Sequence, residues 1–147
     1  MSALRLSSVY TPQVIVDGYR NFVGSDRTSI GKAVVGNRDG IEVAFAVRDG
    51  EVLIDVGARD KAAPCDVVLV AYLRAAVSPI GRGENAGRTL KEFNIVRDFR
   101  TLGRWDGHTQ QYHSKVDSLP HDATDVAVLV QSSGQATIIG AATTALR

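Results

Sequence analysis

Two Asp-Gly pairs, Asp17-Gly18 and Asp49-Gly50, stand between runs of apolar, largely β-branched residues, and no other local feature constrains the chain as much. The favoured two-residue hairpin loop needs positive φ at both central positions, which Asp tolerates and Gly adopts freely. Gln13–Val16 and Tyr19–Val23 therefore predict one antiparallel hairpin, and Ile41–Val47 with Glu51–Ala58 predict a second. In the second, Ile41, Val43, Phe45 and Val47 alternate with Glu42, Ala44 and Ala46. Val52, Ile54 and Val56 likewise alternate with Glu51, Leu53 and Asp55, the period of a sheet with one buried face. Between the hairpins, residues 24–36 (GSDRTSIGKAVVG) predict a short helix. Ser25 or Asp26 caps its start, Ile30, Ala33 and Val34 share a face, and Gly36 closes it. Gly31 weakens that helix by about 1 kcal/mol.

Further along, Asp66–Leu73 is a continuous β-branched apolar run, the pattern of a central strand. Asp125–Gln131, a Ser-Ser-Gly turn and the following QATIIGAATTAL predict a third hairpin, apolar on both sides and so expected between layers. Arg88–Trp105 is ambiguous from its residues alone. Leu90, Phe93, Val96, Phe99 and Leu102 recur every third position, as on a helix, while Phe93, Ile95 and Phe99 share strand parity. A chain of 147 residues buries about 70% of its unfolded surface and needs no disulfide or metal to fold. The expected class is α+β, mainly β: an antiparallel sandwich-like domain over residues 37–147, with the texture changing at Gly36–Gly40, preceded by a β-β-α segment over residues 1–36.

The formal net charge of +1, with no long run of like charges, gives no footprint for nucleic acid. No segment approaches the about 20 apolar residues of a membrane span. MSALRLSSVY lacks the apolar core of a signal peptide, so the chain as it stands is expected in the cytoplasm. The single cysteine, Cys65, excludes an internal disulfide and a C-x-x-C pair, and its place at the mouth of an apolar run suits a small buried hydrophobe. His108, His113 and His121 have spacings that fit no usual metal ligand pair, and no G-x-S-x-G elbow is present. Neither catalytic residues nor a metal or cofactor are therefore expected. Gly81, Gly83 and Ala86 spell a dinucleotide fingerprint, with Asp98 or Asp106 as the distant acid. Pro79 interrupts the strand that should precede it, and its surroundings are antiparallel, so a glycine-rich connection between strands is expected instead. Arg82, Glu84, Asn85 and Arg88 form a polar cluster there, and Trp105 in GRWDG reads as a core anchor before an Asp-Gly turn.

Leu4–Arg27 and Gly81–Gly107, with their Tyr-Thr-Pro-Gln and Arg-Gly-Glu-Asn-Ala-Gly pieces, resemble the bacterial family named domain of unknown function 1223. The resemblance implies a secreted or periplasmic protein, an N-terminal thioredoxin-like domain with a cysteine motif, and a β-rich C-terminal domain. It places Thr11-Pro12 where thioredoxin folds carry a cis-proline that contacts extended peptide, makes residues 1–36 the last β-β-α of that fold, and tips Arg88–Trp105 toward strand. The cysteine half is missing from this chain, and Cys65 lies outside the thioredoxin-like part. Redox exchange needs an attacking thiolate and a resolving thiol. The expected function is thus a non-catalytic accessory or binding module, the alternative a thiol–disulfide oxidoreductase or redox chaperone whose catalytic half is supplied elsewhere. A half sheet with apolar Val14, Val16 and Phe22 predicts a homodimer, another protein partner, or docking of residues 1–36 on the β domain.

Overall fold

The computed structural model describes residues 10–36, 39–134 and 136–147. Its elements are β1 (Gln13–Val16), β2 (Arg20–Val23), α1 (Arg27–Val35), β3 (Val43–Arg48), β4 (Glu51–Val56), β5 (Cys65–Pro79), β6 (Thr89–Trp105), β7 (Gln110–Lys115), a 3-10 turn (Val116–Ser118), β8 (Asp125–Ser132) and β9 (Ile138–Ala145). The strands form three antiparallel sheets, β1-β2, β3-β4-β7 and β6-β5-β8-β9. The fold is mainly β.

Both Asp-Gly pairs take positive φ, 53° and 78° at Asp17 and Gly18 and 52° and 76° at Asp49 and Gly50. Only the second is the expected two-residue loop, with Arg48 paired to Glu51; in the first Val16 pairs with Arg20, so the loop is Asp17-Gly18-Tyr19 and the strand starts one residue later than expected. The register that follows pairs Phe45 with Ile54 and Val47 with Val52, which sends both apolar rows to one face. That face meets the four-stranded sheet. Val52, Ile54, Val56 and Tyr112 pack against Val67, Leu69, Ala71, Trp105, Val126, Val128 and Val130. Each such large apolar side chain contributes about 1.5–3 kcal/mol by leaving water. Along one seam the Ile41 amide donates to the Ile139 carbonyl at 2.8 Å. Gly140 permits this approach, since a Cβ there would stand 2.6 Å from Ile41 Cγ1. Along the other seam the Tyr112 ring lies over Gly103, and its hydroxyl donates to the Arg104 carbonyl at 2.9 Å. Trp105 is fully buried, with Nε1 donating to the Gly57 carbonyl at 3.2 Å.

Several expectations need correction. β5 does not stop at Leu73; it runs on through Ser78, and Pro79 is its last residue, paired with Thr89. A proline fits there because a strand end need not donate. The ambiguous segment is strand from Thr89 to Trp105, the direction in which the resemblance tipped it, and its every-third apolar spacing is absorbed by register shifts at Val67/Val68 and Ala71/Tyr72. In α1, Asp26 is the cap, accepting from the Ser29 amide, but Val34 is 64% exposed and Ala33 alone is buried. Gly36 closes the helix in a right-handed conformation, not a left-handed one. The third hairpin is covered on one side only: Ala141, Thr143 and Ala145 are exposed. Val16 is buried and Val14 and Phe22 are half-buried beneath α1, so the open apolar residues of this hairpin are Ile15 and Val23. The expected boundary after Gly36 falls on residues 37–38, outside the described residues, as do the first nine.

Candidate interaction surface

Strand length builds the most distinctive feature of the molecule. β5 has 15 residues and β6 has 17, while β8 has 8 and pairs with β5 only between Cys65 and Tyr72. Past Tyr72 the β5–β6 hairpin continues alone, Leu73–Pro79 against Thr89–Ile95. At about 3.3 Å per residue this arm reaches about 23 Å beyond the sheet. Pairing assigns its two faces. Leu73, Ala75 and Val77 lie opposite Ile95, Phe93 and Lys91, continuing the row Val67, Leu69, Ala71 that faces the core. Tyr72, Ala76 and Ser78 lie opposite Val96, Glu92 and Leu90 on the reverse side. The three-stranded sheet does not extend along the arm, so on the face that continues the core Phe93 is 70% exposed and Val77 63%, while on the reverse side Val96 is 57% and Leu90 47% exposed. Single exposed hydrophobes are ordinary; apolar side chains open on both faces of one projecting ribbon make it the candidate surface.

The arm is pinned at its root. The Arg74 amide donates to Thr124 Oγ1 at 2.9 Å, and its guanidinium grips the Asp125 carboxylate through Nε and Nη2. Arg97 Nε pairs with Asp122 at 2.7 Å, and Arg100 donates to the Ser118 hydroxyl and carbonyl. The Arg74 hydrogen bonds, then that from the Thr124 hydroxyl, hold the Asp125 carboxyl below the usual carboxylate range. A cleft of about 430 Å³ opens beside the root, walled by Leu73, Ala75 and Ala123 and rimmed by His121, Asp122 and Arg147.

At the tip, the glycine-rich stretch is a closed turn between antiparallel strands. The Ile80 amide donates to the Arg88 carbonyl at 2.8 Å, the Ile80 carbonyl accepts from the Gly87 amide at 2.9 Å, and Gly83 and Gly87 have φ of 86° and 83°. No helix follows, so the backbone geometry of a dinucleotide loop is not formed. All four polar residues gather at this turn and are exposed; Arg88 Nη1 donates to Asn85 Oδ1 at 3.3 Å, while Arg82 and Glu84 have no such partner among the described residues. Thr11-Pro12, which is cis, lies elsewhere. The Gly24 amide donates to the Pro12 carbonyl at 2.8 Å, at the open end of β1-β2. The other end of that hairpin touches β9, where the Ile138 amide donates to the Asp17 carbonyl at 2.8 Å. Ile138 pairs with Gln131, and Gln131 with Asp66 at the start of β5, so roughly 30 Å or more separates Pro12 from the arm tip. The two groups of expected site residues do not meet.

Cys65 is 2% exposed, and burial pushes its thiol pKa up. The histidines are dispersed: His108 pairs with Asp106, His113 lies 3.9 Å from Glu51, and His121 rims the root cleft. Among the described residues no three His, Cys, Asp or Glu side chains converge as a metal site would require. Val77, Leu90, Phe93 and Val96 were not expected as site residues, since from sequence they look like core. No local signal marked them: their exposure follows from β5 and β6 outrunning β8, which has 8 residues against 15 and 17.

Sandwich and arm define the class: a mainly β protein with antiparallel sheets and a projecting two-stranded ribbon. The chain belongs to the family of proteins of unknown function called DUF1223, whose model matches residues 1–131. A crystal structure of an Agrobacterium tumefaciens protein is similar, with TM-score 0.80 and 26% identity, covering 99% of this chain and 66% of that one. The chain thus spans about two thirds of that protein's length. No curated protein matches. Among the described residues no helix is long and apolar enough to cross a membrane.

Proposed function

We propose that this chain is a non-catalytic binding module that engages another protein through the β5–β6 arm. One observation carries the reading: Val77, Leu90, Phe93 and Val96 stand 47–70% exposed on a ribbon that continues past every neighbouring strand. Aromatic and aliphatic anchors of this kind dominate protein interfaces. The buried Cys65 thiol, raised in pKa, supports the non-catalytic part, because the thiolate is the attacking species in disulfide exchange. The β-β-α order behind Thr11-Pro12 supports derivation from a thioredoxin-like, secreted protein, with residues 1–36 as its appendage and 37–147 as the binding domain.

The test compares immobilised wild-type chain with a Val77→Lys/Leu90→Glu double variant of unchanged Tm, each exposed to extract of the source cell. Wild type retains a discrete set of proteins that the variant loses at least about tenfold. Equal retention by both sinks the reading.

A further inference from the structure

Resting on the reading of the arm as the contact element, we infer that its partner is a second copy of this chain, joined face to face through Leu73, Ala75, Val77, Phe93 and Ile95. In the body of the protein the same side of β5 and β6 is roofed by β4 and β7, and the residues beneath are fully or nearly buried. Along the arm the same kind of surface continues without a roof. Sheets of this composition pack at about 10 Å on another apolar sheet face. A second arm, antiparallel across a two-fold axis, supplies one.

Area favours this occupant. A large side chain offers about 150–200 Å² when fully exposed. With Phe93 at 70% and Val77 at 63%, and with Ala75, Lys91 and Thr89 also exposed, each arm contributes about 500 Å². Two arms bury about 1,000 Å², the lower bound for a specific interface. Charge permits it. The two-fold axis lays the tip of one arm, with Arg82, Glu84 and Arg88, over the root of the other, rimmed by His121, Asp122 and Arg147. Both signs occur at both ends, so copies are not repelled. Phe93 sits at the centre of the patch, where a contact residue matters most.

Sedimentation equilibrium of the full chain from about 1 to about 200 µM tests the inference, since an interface of this size holds at micromolar concentration. The expected result is a shift from the 15.7 kDa chain to twice that mass. Phe93→Glu weakens dimerisation at least about tenfold, and Ser78→Glu, on the reverse face, less than about twofold. Both residues lie outside the core, so both variants keep the wild-type Tm; should Phe93→Glu not, Val77→Lys reports on the same face. A chain that stays monomeric throughout overturns the inference, as does equal damage from Ser78→Glu. Monomers whose arm still retains other proteins leave the binding function standing; monomers that retain nothing overturn both.

Discussion

At the root of the arm, the Asp125 side chain is 5% exposed and accepts hydrogen bonds from Arg74 and from the Thr124 hydroxyl. A carboxylate this enclosed is tolerated because all its bonds are met. Its pKa is lowered, first by Arg74 and then by Thr124. The sign of the linkage follows: a depressed folded-state pKa stabilises the fold above the unfolded value of about 3.9, and that stabilisation is lost as pH falls through the folded value. Asp125→Asn should therefore lower Tm at pH 7 by about 3–6 °C. The gap to wild type should be constant between about pH 5 and 7 and narrow as pH falls below the unfolded carboxyl value of about 3.9. Thermal melts of both proteins across that range check it, and a gap that persists at the acid end means that another group titrates.

Among the elements, those bounded by turn chemistry were legible in sequence and those bounded by neighbours were not. Asp17-Gly18 and Asp49-Gly50 carry their backbone conformation in their residue types, so β1 to β4 fall where alternation puts them. The ends of β5 and β6 depend on where β8 stops, which no local pattern records. For that reason Pro79 looked like an interruption, and Leu90, Phe93 and Val96 fitted a helix stripe as well as a strand. The same independence makes the arm removable. Replacing Ala76–Glu92 with Asn-Gly joins Ala75 directly to Phe93, residues already paired across the ribbon. The shortened chain keeps the Arg74–Asp125 and Arg97–Asp122 clamps and every residue of the core. Its Tm should stay within about 3 °C of wild type, while self-association is lost. A drop beyond about 10 °C would make the arm part of the folding unit rather than a limb of it.

For the whole molecule, stability is expected to be uneven, and the layout of contacts says where. The sandwich holds the large buried side chains Trp105, Ile54 and Leu69 together with the central valines. Among the described residues, the unit β1-β2-α1 contributes only Val16 and Ala33 to the buried set, and its hydrogen bond to the sandwich is at the Asp17-Gly18 turn. There the Asp17 carbonyl accepts from Ile138, and Gly18, at φ 78°, fits against the Ala136 carbonyl so closely that a Cβ would lie 2.2 Å from its oxygen. Units with so few apolar contacts open at a fraction of the global free energy. Gly18→Val should then act as a selective wedge: the branched side chain strains the turn and expels Ala136, while nothing in the sandwich core is touched. Amides of Val14 and Phe22 should lose exchange protection by at least about tenfold, those of Val68 and Val128 should not change, and the main melting transition should move less than about 2 °C. Hydrogen exchange read residue by residue decides the matter. Uniform loss across both sets would show that β1-β2-α1 and the sandwich melt as one body, and residues 1–36 could then no longer be treated as an appendage.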